Sequence, residues 1–286
     1  MQKIKIPDEI NYIELYFTLK CNLGCEYCIN KFSDVKRVRC EQPYDVLAHN
    51  INRLDFNLRP LTIGGGEPTT RSDFFKFVNT LDPEIKIDLL TNLQFDIDEF
   101  IDSIPLKRFY SFDLNKPAYK SIRVSYHPTM MNPYKIIEKV VKLQEYGYSV
   151  GVFGINHPLS IEDNVQMSEI ARNHKVYFFI KDFLGPFQDH TFGFFHDKEG
   201  LSGIKKDCQC RTKELLIDPT GNIFKCHRDL YANEFPISNI SDLDLSIEFK
   251  YRKCSMFGLC NPCDLKIKTN RFLQLGHNST DISFDK

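Results

Sequence analysis

Six short runs rich in β-branched and aromatic residues, separated by stretches of helical spacing, leave this chain few architectures. The runs are 12–18, 61–63, 85–90, 121–126, 148–153 and 175–180, and each reads as a strand. Between them, 134–146 places Ile136, Ile137, Val140, Val141 and Leu143 on one face, with Gly147 as a left-handed stop. Ser160 with Asp163 resembles a capping box opening a helix toward His174, and Ser72 is expected to cap a helix over 73–79. Helices are also expected over 45–54 and 96–104. Strand–helix alternation implies parallel β/α units with right-handed crossovers. The expected fold class is α/β: a partial (β/α)6 TIM-like barrel, open where eight units would close, with ligands at the carboxyl ends of the strands.

Past the sixth run the texture changes. Residues 182–207 are aromatic and aperiodic and read as a connector, while 214–226 reads as a hairpin around Pro219-Thr220-Gly221-Asn222. Two parts follow: the barrel, 1–185, and a small cysteine-rich extension, 186–286. A net charge of −1 argues against nucleic acid as the main partner. No apolar run approaches the ~20 residues that span a bilayer, and the first residues lack a signal-peptide core. The expected location is the cytoplasm, where the ten cysteines read as metal ligands before disulfides.

Cys21, Cys25 and Cys28 follow the first strand, and Cys208, Cys210, Cys226, Cys254, Cys260 and Cys263 crowd the last third. Three thiolates on one loop hold three irons of a cubane and leave the fourth open to an external ligand. The alternative is zinc, which in structural sites wants four closed protein ligands, often from Cys-x-x-Cys pairs; the three-residue gap and the missing local fourth ligand fit it poorly. Gly64-Gly65-Gly66-Glu67-Pro68 follows the second strand at the same end of the barrel. Its glycines allow close backbone approach, and Glu67 offers a carboxylate to a cationic amino group.

Cys21-x-x-x-Cys25-x-Tyr27-Cys28 followed by Gly-Gly-Glu-Pro resembles the radical S-adenosylmethionine (radical SAM) superfamily, over about residues 10–180. The resemblance implies a [4Fe-4S] cluster on Cys21, Cys25 and Cys28 that binds S-adenosylmethionine. It implies one-electron cleavage to a 5′-deoxyadenosyl radical, which abstracts a substrate hydrogen. An external one-electron reductant of the flavodoxin or ferredoxin type would supply the electron. By the same resemblance Tyr27 contacts the adenine region, Gly65, Gly66 and Glu67 hold the methionine end and Asn92 lies near it. Arg123 and Ser125 reach carboxylate and ribose, and Gly154 belongs to a segment, 151–155, packed on adenine.

Gly221-x-x-x-x-Cys226 preceded by a cysteine, with Cys260-Asn-Pro-Cys263 beyond it, resembles the twitch form of the family's auxiliary-cluster (SPASM-like) extensions. That implies a second [4Fe-4S] cluster on Cys210, Cys226, Cys260 and Cys263, with Cys208 as alternative to Cys210 and Cys254 left spare. A cluster closed by four thiolates suits electron acceptance, hence net oxidation of a small molecule or a peptide. Few residues precede the first strand, which tilts toward a small molecule; a peptide-modifying maturase would need a separate recognition protein. A zinc-bound scaffold is the rival of another class.

Overall fold

The computed structural model describes residues 3–28, 40–109, 120–183, 185–192, 204–258 and 280–284. All six expected strands form: β1 Tyr12–Thr18, β2 Leu61–Gly65, β3 Ile87–Thr91, β4 Ile122–Ser125, β5 Val150–Asn156 and β6 Tyr177–Asp182. They pair in parallel in sequence order, making the curved, open core of a partial TIM-like barrel. β1 is buried at every position. Strand alternation sends Ile13, Leu15 and Phe17 toward the helices, where Phe17 packs on Phe74 and Phe77, and sends Glu14, Tyr16 and Thr18 to the other face.

The helices are α1 Tyr44–Asn52, α2 Phe74–Thr80, α3 Ile97–Ser103, α4 Pro133–Glu145 and α5 Ile161–Asn173. α4 buries Ile136, Ile137, Val140 and Leu143 and ends as expected. Gly147, at φ +88°, bonds back to Gln144 O while Tyr148 N reaches Leu143 O, the paired bonds of a Schellman end. Two caps differ from expectation. Asp73, not Ser72, precedes α2, and its carboxylate binds Arg71 instead of the helix amides. Ser160 precedes α5 without capping it, because its hydroxyl is hydrogen-bonded to Tyr27.

The stretch read as a connector is partly regular: β7 Gly185–Phe187 and β8 His190–Phe192 form a hairpin, and β9 begins at Lys206 and runs to Thr212. The expected hairpin is β10 Glu214–Ile217 and β11 Asn222–Phe224, turned at Gly221 with φ +84°. It is no separate appendage. β10 lies parallel against β1, from Glu214↔Tyr12 to Ile217↔Leu15, so the barrel sheet continues into the last third of the chain. With β12, Ser238–Asn239, it reaches nine strands among the described residues. α6, His227–Ala232, follows the hairpin, and β13 Arg252–Phe257 and β14 Thr280–Ser283 flank β9 in a small antiparallel sheet. Among the described residues no helix is long and apolar enough to cross a membrane.

Candidate functional site

The cysteine loop leaves the carboxyl end of β1 and lies directly on the Gly-Gly-Glu loop that leaves β2. Gly66 N donates to Thr18 O and Glu67 N to Lys20 O, both at 2.8 Å. A side chain has no room in that joint: a Cβ on Gly65, already at φ +115°, would stand 2.2 Å from Thr18 O, and one on Gly66 2.0 Å from Lys20 O. The close approach these glycines permit is to the cysteine loop itself. Cys28 N donates to Cys25 O at 3.2 Å, closing a turn; Cys25 is buried and Cys21 exposed.

Glu67 is buried beneath this joint as a four-donor hub. Its Oε1 accepts from Thr69 N, Thr69 Oγ1 and Thr91 Oγ1, and its Oε2 from Asn92 N at 2.6 Å. Burial pushes its carboxyl above the usual range, against those hydrogen bonds. The hub ties the end of β3 to the motif: Asn92 Nδ2 bonds Asn22 Oδ1 at 2.7 Å and lies 3.9 Å from Cys21 Sγ. Burial also raises the Cys21 thiol, with the Glu67 charge adding to it. So Cys21, Gly65, Gly66, Glu67 and Asn92 are brought together.

Tyr27 sits apart from that hub, between two histidines that sequence reasoning passed over. Its hydroxyl is 3.0 Å from His127 Nδ1, and its ring centroid lies 5.6 Å from His127 and 5.1 Å from His157. Burial pushes the Tyr27 hydroxyl up and holds His127 down at about 4. A signal was available: His127-Pro128 and His157-Pro158 each follow a strand end, and each opens a 3-10 turn. Phe183 and Phe187 stand edge-on to His157, so the β7–β8 hairpin covers this side of the mouth.

Ser125 ends β4, whereas Arg123 lies deeper, buried with Nη2 3.7 Å from Asp88 Oδ2. Gly154 faces helix α5, since a Cβ there would meet Asn164 Oδ1 at 2.4 Å. The barrel interior also holds a buried histidine that follows Cys226 in the chain. His227, on α6, stands 3.4 Å from Glu214 and 3.7 Å from Glu14, with Tyr16 edge-on to its ring.

The second cysteine set is drawn together in part. Cys208 and Cys210 lie on one face of β9, both buried, and Cys208 pairs directly with Cys254 on β13. A hydrogen bond with Cys210 holds the Cys254 thiol down at about 5. Cys226 precedes α6, next to Lys225, whose backbone carbonyl accepts from Thr212 at the end of β9. Cys260 and Cys263 lie outside the described residues. Among the described residues, no three His, Cys, Asp or Glu side chains converge on a single metal ion. A cubane does not ask for that convergence: each thiolate binds a separate iron, and three thiols on one loop beside glycine-lined backbone are a donor set it accepts.

The sequence profile of a family described as the Radical SAM superfamily matches residues 15–165, more than half of the chain. A probable GTP 3′,8-cyclase from Methanocaldococcus jannaschii is 26% identical over 250 residues, spanning 85% of this chain and 80% of that protein. Among solved structures, Streptococcus suis SuiB bound to precursor peptide SuiA superposes with a TM-score of 0.51 at 14% identity, over 84% of this chain and 63% of that one. AnSMEcpe with bound AdoMet and Kp18Cys peptide gives 0.51 at 13% identity, over 82% and 78%.

Proposed function

The chain belongs to the radical SAM superfamily, and from that premise we propose that it cleaves S-adenosylmethionine reductively on a cluster held by Cys21, Cys25 and Cys28 and oxidises a polar small molecule. It is an enzyme, and the scaffold reading falls with that. The family implies a [4Fe-4S] cluster and S-adenosylmethionine, which when bound supply a 5′-deoxyadenosyl radical for hydrogen abstraction. The observation behind the site assignment is the joint at the strand ends, where Gly66 and Glu67 amides clasp the cysteine loop and Asn92 reaches Cys21.

The chain's own residues then divide the work. The joint fixes the three thiols relative to β2 and β3. Glu67 and Asn92 present polar atoms at the methionine end, Tyr27 offers its ring to adenine, and Ser125 stands at the ribose side. Gly65 and Gly66 keep side chains out of the cysteine loop's backbone, and Gly154 leaves room for Asn164 of α5. Arg123 with Asp88, and His227 between Glu14 and Glu214, line a polar barrel interior that suits hydrogen bonding to a polar substrate. The GTP-cyclase relative supports the small-molecule reading; the peptide-bound neighbours agree in fold alone.

The barrel, 1–185, holds the S-adenosylmethionine chemistry in this reading. The remainder, 186–286, would hold an auxiliary [4Fe-4S] cluster on Cys210, Cys226, Cys260 and Cys263, with Cys208 as alternative to Cys210, which when bound would supply an electron-accepting centre. A flavodoxin- or ferredoxin-type protein supplies the electron for cleavage. Replacing Cys21, Cys25 and Cys28 with Ala abolishes 5′-deoxyadenosine formation under dithionite, measured by chromatography; undiminished formation sinks the assignment. Offering the wild-type enzyme GTP with S-adenosylmethionine, and separately a peptide library, separates the substrate classes by which one raises 5′-deoxyadenosine above the uncoupled level.

A further inference from the structure

Leu93, directly after Asn92, is a buried residue in the left-handed region, at φ +60°. A leucine keeps that backbone only where its surroundings hold it there. Two of the holds are local: Leu93 N donates to Thr91 Oγ1 at 2.9 Å, and Gln94 N to Asn92 Oδ1 at 3.0 Å. The third comes from helix α4. Lys139, half-buried there, donates from Nζ to Leu93 O at 2.9 Å and to Phe95 O at 2.7 Å. The two carbonyls converge on one point, and a single ammonium satisfies both. What this turn presents is Asn92. With Oδ1 engaged by Gln94 N, the side-chain amide is fixed with Nδ2 toward the cysteine loop, 2.7 Å from Asn22 Oδ1 and 3.9 Å from Cys21 Sγ. Its backbone N–H donates to Glu67 at the same time.

From this chain of contacts we propose that Lys139 is a positioning residue for S-adenosylmethionine: by clamping the Leu93 turn it aims Asn92 at the methionine end of the cofactor. The inference rests on the reading above, in which that end lies at Glu67 and Asn92, and adds to it a residue that acts only through the turn. A neutral side chain of the same length takes the donor away from two part-buried carbonyls and leaves the left-handed turn with one hold fewer. Leu93 then relaxes toward an ordinary backbone and carries Asn92 out of line. Tyr27, assigned to adenine, is held by His127 at a different strand end, so the defect is confined to the methionine side.

The experiment measures ligand affinity by equilibrium dialysis on the full-length chain reconstituted anaerobically with iron and sulfide. One ligand is S-adenosylmethionine; the other is 5′-methylthioadenosine, which keeps the adenosine and lacks the amino and carboxylate groups. Lys139→Met should keep its iron, bind S-adenosylmethionine about tenfold more weakly and bind 5′-methylthioadenosine as the wild type does. Lys139→Arg, which keeps the charge and the donors, should recover most of the loss. Lys142→Met, on the same helix, breaks only the exposed pair with Asp98 and should change neither affinity. Unchanged S-adenosylmethionine affinity in Lys139→Met overturns the assignment. Equal weakening of both ligands overturns it too, since that is what general damage to the barrel produces. If Lys139→Met does not fold, Lys139→Gln is judged by the same two outcomes. Wild-type protein that carries a cluster and yet binds no S-adenosylmethionine overturns the reading beneath this one as well.

Discussion

His127 carries its consequence in its protonation. Burial beside Tyr27 holds it near 4, below its ordinary 6.5. Between those values the unfolded chain binds a proton that the native chain does not, so stability rises with pH across the window and is lost as pH falls through it. Unfolding midpoints in urea should therefore drop from pH 6.5 to about 4 by an amount worth up to about 3 kcal/mol. His127→Asn flattens that dependence; an equal pH slope in wild type and variant contradicts the burial argument. Residues of this kind mark the limit of reading the sequence. The cysteines and Glu67 announce themselves by spacing, but a histidine is ambiguous until its surroundings are known. His127 and His157 gain meaning only because two strand ends, thirty residues apart in the chain, deliver them to either side of Tyr27. Glu67 was legible as a functional carboxylate, yet its bonds to Thr69, Thr91 and Asn92 depend on the register of β2 against β3, which spacing does not state.

Between elements, the joint of the β1 and β2 loops is the most demanding contact. Gly66→Ala puts a methyl group where Lys20 O already lies, and backbone cannot rotate out of the way as a side-chain end can. One loop must move, at a cost on the order of 1–3 kcal/mol, and any shift of Lys20 is passed on to Cys21 beside it. The variant should stay folded by circular dichroism while losing about four irons from reconstituted protein. Retention of all iron at unchanged stability shows that the joint yields freely. All six strands and all five barrel helices were visible in the sequence, since apolar periodicity reports which face is buried. Hairpin β7–β8 and strand β9 were not. The hairpin strands are only three residues each, too short to show a period, and β9 is interrupted by cysteine and charge and pairs with partners far along the chain. The caps failed for local reasons: the helix expected to be capped by Ser72 begins one residue later, after an Asp73 held by Arg71, and Ser160 turns to Tyr27.

For the whole molecule, the parallel pairing of β10 with β1 decides how the two parts depend on one another. A chain cut after residue 185 loses the strand that covers β1, exposing backbone along residues that are otherwise wholly buried. Such an edge seeks another strand. The truncated protein should run as oligomer or aggregate in size-exclusion chromatography, while the full chain does not; a well-behaved truncated monomer shows the barrel to be self-sufficient. His227 tightens the same seam, since it joins Glu14 of the barrel to Glu214 of the hairpin.

That seam also sets an order of events at the ribosome. β1 emerges before the strand that completes its second side, which lies roughly two hundred residues later, a delay of about 10–40 s at ordinary elongation rates. For that interval the nascent barrel has one open flank bearing Tyr12, Glu14 and Tyr16 beside the unfilled cysteine loop. Cells that make this protein must shield that flank or translate quickly through the middle third, and slow codons between β6 and β10 should cost yield more than slow codons anywhere else.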